Sequence, residues 1–396
     1  MQADHERFPF TLGPDGLVSE QCLRHLAQDP LGQVTLPSGD LARFAVRYAD
    51  ASQILGDPRF SRDLSYPGAP KLFPGVDFTS DPDMMINMDP PRHTRLRRLL
   101  SGTFTPGQVE AWRPALRELV TRLIDELPGP SFDFVTELAA PISVQAIAEV
   151  MGLRGLDTER LRVWSDNFLP ESGLTPEEQI ASAMEYFQYM TELITANRAE
   201  PGSGMVSEMM AADDDGDRLE EEELVHNIIG VFMAGHEATG FVLARGLLRL
   251  LDTPGSYQRL VEQPELIPSA VEELLRVEPP SDTALLRVAT EDVELPSGTV
   301  YKGEAVLASI GGANHDPAAF DQPHELRLDR VGPPTLSFGR GAHFCLGFRL
   351  AKVELEESLA VLTERFPKLT LAVPRQDLTW SEGAFKFLVN LPVVAG

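Results

Sequence analysis

Hydrophobic residues recur at helical spacing through most of the chain, and segments with the alternating pattern of strands are few and short. The predicted helices cover 93–127 (with a break at 105–107), 131–165, 177–198, 220–251, 256–262, 268–277 and 346–366. Four acids, Glu220–Glu223, open the longest of these helices, where they suit the positive end of the helix dipole. Helix is therefore expected to dominate the fold.

The remaining segments predict strands and loops. The strand patterns lie at 41–46, 287–289, 293–295, 300–301 and 305–308. Residues 1–60 have a mixed pattern, and 61–90 are rich in Pro, Gly and Asp, which predicts a long irregular loop of the kind that is usually functional. Residues 199–217 predict an exposed loop whose acidic run, Asp213–Asp215, is solvated. We find no internal repeat and no linker, so one domain over 1–396 is expected.

Composition narrows the class of protein. The 396 residues are 43% hydrophobic and 24% charged, which is ordinary for a globular protein with a large core. A net charge of −26 disfavours nucleic acid and anionic membrane as partners. Two cysteines, Cys22 and Cys345, exclude a disulfide scaffold and indicate a reducing, cytoplasmic compartment.

No targeting or membrane-spanning segment is expected from the pattern. The N-terminal residues carry charges from residue 4 onward and lack an apolar stretch. The most apolar long segment, 224–251, contains two histidines, a glutamate and two arginines, which a membrane span hardly tolerates. It is interpreted as a helix buried in protein.

Residues 338–347 read Phe-Gly-Arg-Gly-Ala-His-Phe-Cys-Leu-Gly. Two glycines two residues apart allow the backbone to lie against a flat partner. Cys345 follows just before a predicted helix, whose N-terminal amides and dipole favour a thiolate. The residues alone leave open an inert buried thiol, a nucleophile and a metal ligand. A zinc site is disfavoured because His343 is too close in sequence and no further cysteine is near.

The segment resembles the haem-binding loop of cytochrome P450 monooxygenases, F-G-x-G-x-H-x-C-x-G, with every fixed position filled. The resemblance implies a mainly α fold, a helical triangular prism with small β-sheets. It also implies haem b as cofactor, with Cys345 as the axial ligand of the iron. Phe338, Gly339, His343 and Gly347 would complete the cofactor-binding loop.

Two further motifs fit the same family. Glu273-Leu274-Leu275-Arg276 matches its E-x-x-R helix, and Arg330 matches the arginine that completes a buried ion-pair network. An E-x-x-R alone is usually an exposed helical pair of small energetic value. Its position, about 70 residues before the cysteine loop, favours the family interpretation.

The resemblance also implies contacts to the haem propionates. His93 and Arg97 share one helix face at i and i+4, and Arg287 begins a strand. Basic residues on such a helix are otherwise solvated surface, to which Arg95 and Arg98 are assigned. The family often has a histidine where this chain has Thr335, so one cationic contact is expected to be replaced by a hydroxyl.

Ala234-Gly235-His236-Glu237-Ala238-Thr239 resembles the oxygen-activating segment, A-G-x-[DE]-T-[TS], at all positions but one. Ala234 and Gly235 would face the cofactor, with Gly235 making room where the helix opens. Glu237 matches the acid that supplies protons. The alcohol position holds Ala238, and Thr239, about 100° further round the helix, should not point to the same place.

The loss of the alcohol at Ala238 has two interpretations. In the first, a water or a substrate hydroxyl supplies the missing donor, as is thought for some bacterial macrolide-oxidising members. In the second, oxygen activation is weak and peroxide escapes. We favour the first because the other motifs are intact.

The resemblance implies insertion of one oxygen atom from O2 into a C–H bond or double bond of a large, mainly apolar natural product, with a macrolide polyketide in antibiotic biosynthesis favoured. Steroids, terpenes and fatty acids stay open, as does a peroxide-driven enzyme or a non-catalytic haem module. The pocket residues implied are Ile228, Phe232, Asp282, Thr283, Ala284, Leu285 and Phe385.

No nicotinamide or flavin motif is present in the sequence, so NAD(P)H would supply electrons through a separate reductase and ferredoxin. The resemblance places four basic residues near the proximal side of the haem, where they would contact an acidic ferredoxin: Arg98, Arg340, Arg349 and Lys352. A monomer is expected.

Overall fold

The computed structural model describes residues 5–11, 18–74, 81–153, 155–168, 173–199, 204–212, 216–381 and 387–396. Most of these residues are helical, which confirms the mainly α fold with small sheets. The helices are α1 Glu20–Gln28, α2 Tyr48–Gly56, α3 Arg92–Ser101, α4 Pro106–Asp125, α5 Ala140–Met151, α6 Thr158–Phe168, α7 Pro176–Ala199, α8 Met205–Ala211, α9 Glu221–Asp252, α10 Ser256–Glu262, α11 Ile267–Val277, α12 Ile310–Asn314 and α13 Phe348–Arg365.

The described strands form three small sheets. They are β1 Glu6–Arg7, β2 Leu31–Thr35, β3 Leu41–Ala45, β4 Phe60–Ser61, β5 Ser131–Asp133, β6 Arg287–Ala289, β7 Val293–Leu295, β8 Gly298–Val300, β9 Ala305–Ala308, β10 Thr370–Leu371 and β11 Pro392–Val394. The largest sheet has the order β1-β2-β3-β9-β6-β4, in which β3 and β9 are parallel. The second has the order β10-β11-β5, and β7 and β8 form a hairpin.

Helix α9 is the central element of the helical core. Glu220 and Glu223 form a capping box at its start, as the acidic first turn predicts. Its side chains pack against α5, α7, α11 and α13 within one large apolar cluster. By length and composition α9 is long and apolar enough to cross a membrane, but 56% of its most apolar window is buried inside the protein.

Several boundaries differ from the sequence prediction. The predicted exposed loop 199–217 contains α8, whose Met205, Val206 and Met209 are buried; residues 213–215 lie outside the described part. The predicted helical stretch at 131 begins instead with β5, which pairs with β11. Tyr301 lies in a turn after β8 and is exposed, because β8 ends at Val300. Short amphipathic elements such as α8 take their structure from the neighbours that cover them.

Candidate active site

The segment 338–347 is a tight loop that presents Cys345 at the start of α13. Gly339 and Gly341 have φ values of +68° and +71°, which favour glycine. A Cβ at Gly341 would lie 2.8 Å from both Gly56 Cα and Leu55 O, so the loop rests directly on α2. The Cys345 N–H donates to Phe338 O at 2.8 Å and closes the loop. Both glycines are therefore required by this backbone.

The two cysteines lie in different surroundings. Burial raises the pKa of the Cys345 thiol, while a hydrogen bond from the Gly347 backbone and the charge of Arg97 lower it. Such a thiol is deprotonated when it coordinates a metal ion, because the ion stabilises the thiolate. Burial raises the pKa of Cys22 to about 12, and its Sγ lies 3.5 Å from Ser309 Oγ. Cys22 is thus a structural, inert thiol.

Basic side chains converge on His343, two residues before Cys345. The His93 and His343 ring centroids are 4.3 Å apart, and Arg97 Nη2 donates to Phe344 O at 2.5 Å. Burial and the charges of Arg287, His93, Arg62 and Arg97 lower the pKa of His343 to about 2. His343 is therefore neutral, in a region that concentrates positive charge.

Two polar atoms of this region are buried without a hydrogen-bond partner among the described residues: His93 Nδ1 and Arg287 Nε. Burial lowers the pKa of Arg287 to about 10, although Asp89 opposes that effect. A buried cation such as Arg287 is costly unless an anion pairs with it, and a buried polar atom such as His93 Nδ1 is costly without a hydrogen bond. The carboxylates of a haem would pair with them beside a thiol ligand, so the residues present fit this cofactor.

The centre of α9 keeps an accessible stripe although the helix crosses the core. Its members, Val231, Ala234, Ala238 and Phe241, are spaced by three, four and three residues and so share a face. An accessible stripe in the middle of a core helix means that the protein leaves a cavity along it. Thr239 lies on another face and is buried, so its hydroxyl does not replace the one missing at Ala238.

Gly235 lies where α9 packs closely against α5. A Cβ there would lie 2.9 Å from Ile147 Cδ1 of α5, so the missing side chain lets α5 approach α9. Ala234, one residue earlier, points in a direction about 100° away on the helix. Close helix packing, which a motif does not reveal, accounts for this glycine.

Glu237 is partly exposed, with 31% of its side chain accessible. His236 Nε2 lies 3.8 Å from Glu237 Oε1, and burial lowers the pKa of His236, so this ring is a neutral neighbour. Tyr186 of α7 is also near: burial, and then the charge of Glu237, raise the pKa of its phenol. Sequence reasoning missed Tyr186 because it lies about 50 residues from the motif and has no signature of its own.

The buried ion-pair network places Glu273 between two arginines. Arg276 Nε donates to Glu273 Oε2 at 2.8 Å, and Arg330 Nε donates to Glu273 Oε1 at 2.9 Å. Arg276 also donates to the carbonyls of Asn314 and Pro323, each at 2.8 Å. The exposed-pair alternative is wrong, because Glu273 and Arg276 are both buried. The network fastens α11 to the irregular chain that leads to the cysteine loop.

Thr335 is occupied within that chain. Its Oγ1 shares a hydrogen bond of 2.8 Å with Ser337 Oγ, which itself donates to Leu275 O at 2.6 Å. Asn314 Nδ2 donates to the same Ser337 oxygen at 2.9 Å. Ser337 was not predicted, and it joins α11 and α12 to the loop.

Only some of the predicted pocket residues are accessible in the structure. Ile228 and Phe232 are 0% and 1% exposed and belong to the core, so their assignment to the pocket is wrong. Four residues apart, they lie on a face of α9 other than the accessible stripe. Asp282 lies near Gly311 and Cys22, and its carbonyl accepts from Ile310 N at 2.8 Å. Thr283, Ala284 and Leu285 continue from it as partly accessible residues, and Phe385 lies outside the described residues.

The basic residues assigned to the surface have specific partners. Arg95 is not a solvated side chain: its Nε lies 2.9 Å from Asp217 Oδ1 and its Nη1 lies 2.7 Å from Glu223 Oε1, which ties α3 to the first turn of α9. Arg98 also turns to Asp217, at 3.8 Å. Beside the cysteine loop, the Arg349 guanidinium stacks 4.5 Å from the Phe348 centroid, and Lys352 pairs with Glu272.

Comparison with known proteins gives one family. The family model described as Cytochrome P450 matches residues 173–379. The mycinamicin IV hydroxylase/epoxidase of Micromonospora griseorubida is 39% identical over 379 residues, with 92% of each chain covered. The nocardicin C N-oxygenase of Nocardia uniformis subsp. tsuyamanensis is 39% identical over 373 residues, with 93% of each covered. The crystal structure of the LnmA hydroxylase from the leinamycin biosynthetic pathway of Streptomyces atroolivaceus superposes with a TM-score of 0.89 at 38% identity, covering 98% of this chain and all of that one.

Proposed function

This chain belongs to the cytochrome P450 family, and on that premise we propose that it hydroxylates or epoxidises a macrolide polyketide in antibiotic biosynthesis. It is a haem-dependent monooxygenase, which incorporates one atom of O2 into its substrate. Haem supplies the oxygen activation, and the chain supplies the ligand, the orientation of the substrate and the protons. The observation that carries the proposal is the buried basic cluster beside Cys345, with its unpartnered His93 Nδ1 and Arg287 Nε.

The residues of the site are assigned the following roles. Cys345 would bind the haem iron as a thiolate, and the Gly347 N–H would stabilise its charge. His93, Arg97 and Arg287 would hold the propionates, and that contact would satisfy the unpartnered His93 Nδ1 and Arg287 Nε. Glu237 holds the proton that enters the site, with Tyr186 and His236 as its neutral neighbours.

The proposed substrate class follows from the cavity and the missing alcohol. Val231, Ala234, Ala238 and Phe241 offer a mainly apolar wall, which suits a large apolar molecule. Because Ala238 carries no hydroxyl and Thr239 is buried, a hydroxyl of the substrate or a water must donate in its place. A macrolide carries both apolar bulk and hydroxyls, and a 39% identical relative is named for hydroxylation and epoxidation of mycinamicin IV.

The remaining assignments concern partners and location. Electrons come from NAD(P)H through a reductase and an acidic ferredoxin, which docks on the surface formed by Arg340, Arg349 and Lys352. Arg340 belongs to the cysteine loop, and Arg349 and Lys352 follow it in the first turns of α13. We assign the protein to the cytoplasm as a monomer that folds as one domain over 1–396.

A titration with a panel of macrolides, followed by the Soret band of the ferric protein, tests the substrate class. A shift from low to high spin with one macrolide is the expected result, because the haem spectrum responds to a substrate that binds beside it. A shift with a steroid or with an amine such as a nocardicin, and with no macrolide, would contradict the proposed class and leave the monooxygenase assignment intact.

The control variant is Cys345→Ala. It should lose the thiolate signature in the carbon monoxide difference spectrum of the reduced protein. Cys22→Ala should keep that signature, because Cys22 is a buried thiol near Ser309. A signature that survives in Cys345→Ala would show that the ligand is another residue.

A further inference from the structure

Two glycines of α9 mark the place where α5 crosses it. A Cβ at Gly235 would meet Ile147 Cδ1 at 2.9 Å, and a Cβ at Gly240 would meet Ala139 O at 3.3 Å. The two helices therefore approach closely on both sides of the segment that carries Glu237 and Ala238. Any group that holds this crossing also sets where the accessible stripe lies above the cavity.

A hydroxyl from α5 enters the backbone of α9 between those glycines. Ser143 is buried, and its Oγ donates to the carbonyl oxygen of His236. In a regular α-helix that carbonyl accepts from the amide four residues later, here Gly240. A second donor on the same oxygen fixes the direction of the peptide unit that joins His236 to Glu237.

The hydroxyl of Ser143 is in turn held by the helix that follows the cysteine loop. Glu354 of α13 is 3% exposed, and its carboxyl hydrogen-bonds Ser143. Its Oε1 makes no hydrogen bond within the described residues. Burial raises the pKa of Glu354 well above its ordinary value, although the hydrogen bond with Ser143 opposes that effect, so burial favours the neutral carboxyl.

The hydrogen bond from Ser143 to a carbonyl gives the chain of hydrogen bonds a direction, because a carbonyl oxygen can only accept. The single hydroxyl proton of Ser143 is donated to the His236 carbonyl. In its hydrogen bond with Glu354 the Ser143 oxygen is therefore the acceptor, and the carboxyl of Glu354 is the donor. The chain therefore runs from the Glu354 O–H to Ser143 Oγ, and from the Ser143 O–H to His236 O. It connects α13, which begins three residues after Cys345, with the centre of α9.

We infer that Ser143 and Glu354 are positioning residues for oxygen activation. The chain from Glu354 through Ser143 to the His236 carbonyl holds the Glu237–Ala238 segment of α9 at a fixed distance from the helix that follows the haem ligand. The carboxyl of Glu354 acts as a neutral hydrogen-bond donor in this chain and keeps its proton during the reaction.

Amide hydrogen exchange of the ferric holoenzyme tests the link. Ser143→Ala should speed exchange in the segment 236–240 by about tenfold, since it removes one buried hydrogen bond, and it should raise the peroxide released per NAD(P)H consumed. The matched control is Ser358→Ala on α13, a buried serine whose Oγ has no partner among the described residues. It should change neither the exchange rate at 236–240 nor the peroxide release by more than about twofold, because no hydrogen bond is lost.

Equal exchange rates at 236–240 in Ser143→Ala and Ser358→Ala would overturn the inference.

Two variants of Glu354 separate position from proton transfer. Glu354→Gln keeps an N–H donor of similar shape and should match the wild type in exchange and in peroxide release. Glu354→Ala should show the same faster exchange and higher peroxide release as Ser143→Ala. If Glu354→Ala does not fold, Glu354→Gln and Ser143→Ala still test the inference. If Glu354→Gln keeps wild-type exchange at 236–240 but releases more peroxide, the carboxyl transfers its proton and the inference is wrong.

Discussion

Arg287 is a buried arginine, so the cost of burying its charge can be tested at a single residue. Its Nη1 donates to Phe60 O at 3.2 Å, while Nε has no partner within the described chain. Arg287→Leu should therefore release haem about tenfold faster, because a charge-assisted hydrogen bond contributes about 1.5 kcal/mol or more. The same variant should stabilise the haem-free protein, since a buried unpaired cation is removed. Haem transfer to apomyoglobin and urea unfolding measure the two effects.

The control for that variant lies in the same sheet. Arg43 of β3 and Arg287 of β6 both pair with Val306 of β9 in the strand register, one on each side. Arg43 binds Glu304, its Nη2 lying 2.9 Å from Oε1. Arg43→Leu should leave haem transfer unchanged. If both variants release haem equally, sheet stability rather than the propionate contact explains the loss.

His315 predicts how stability depends on pH. It is fully buried, its Nδ1 lies 2.9 Å from Gly311 O, and burial is the main cause that lowers its pKa to about 3. Its ordinary pKa is about 6.5, so below that value the unfolded chain binds a proton that the folded one does not. Stability is therefore lost as pH falls from about 6.5 towards 3, by about 1.4 kcal/mol per pH unit.

The variant His315→Gln tests this dependence. The free energy of unfolding of the wild type should fall between pH 7 and pH 5, and the variant should lose about 2 kcal/mol less over the same interval. The comparison is His324→Gln, which removes the exposed ring stacked 5.4 Å from His315 and leaves the buried one. An equal fall in all three proteins would assign the pH dependence to other groups.

Helix α9 shows at the scale of elements how one face packs while another leaves a cavity. Gly235→Ala should destabilise the protein by about 1–2 kcal/mol, because overpacking against Ile147 outweighs the gain of about 1 kcal/mol in helix propensity. Ile147→Val removes Cδ1, the nearest atom. The double variant should recover most of the loss, as measured by urea unfolding of the two single variants and the pair. Simple additivity would mean that the two residues do not meet.

The elements that could be predicted are those whose own residues determine them. α9, α10 and α11 have long apolar patterns with clear ends, and their predicted bounds agree with the structure within a few residues. α1, α2 and α12 were not predicted, since each is short and owes its stability to covering neighbours. The same reason accounts for α8, which packs Met205 and Val206 inwards.

The residues of the site are likewise of two kinds, those that a local motif identifies and those that only the fold brings together. The cysteine loop and the Glu273 network carry local motifs, so sequence identifies them. Ser143, Tyr186 and Glu354 reach α9 from separate helices, and only the fold brings them together. Ile228 and Phe232 were misplaced because a hydrophobic residue near a motif fits a core as well as a pocket.

The whole molecule carries a net charge of −26, yet its proposed docking surface is basic. An acidic ferredoxin is thus repelled by the protein at long range and attracted by Arg340, Arg349 and Lys352 at short range. The Debye length is about 30 Å at 0.01 M salt and about 8 Å at 0.15 M, so salt screens the distant charges first. Long-range repulsion therefore dominates at low ionic strength, and the short-range attraction dominates at intermediate ionic strength.

Electron transfer from an acidic ferredoxin should first rise and then fall as salt increases. The rise reports the loss of long-range repulsion, and the fall reports the loss of the local contacts. Arg349→Gln removes one local charge. It should lower the maximum rate of electron transfer and make the rate fall less steeply at high salt, while the increase of the rate at low salt stays the same. Stopped-flow reduction at a series of salt concentrations measures this, with Arg365→Gln, paired with Asp125 at the far end of α13, as the control. A monotonic rise in the wild type would show that the ferredoxin does not use this basic surface.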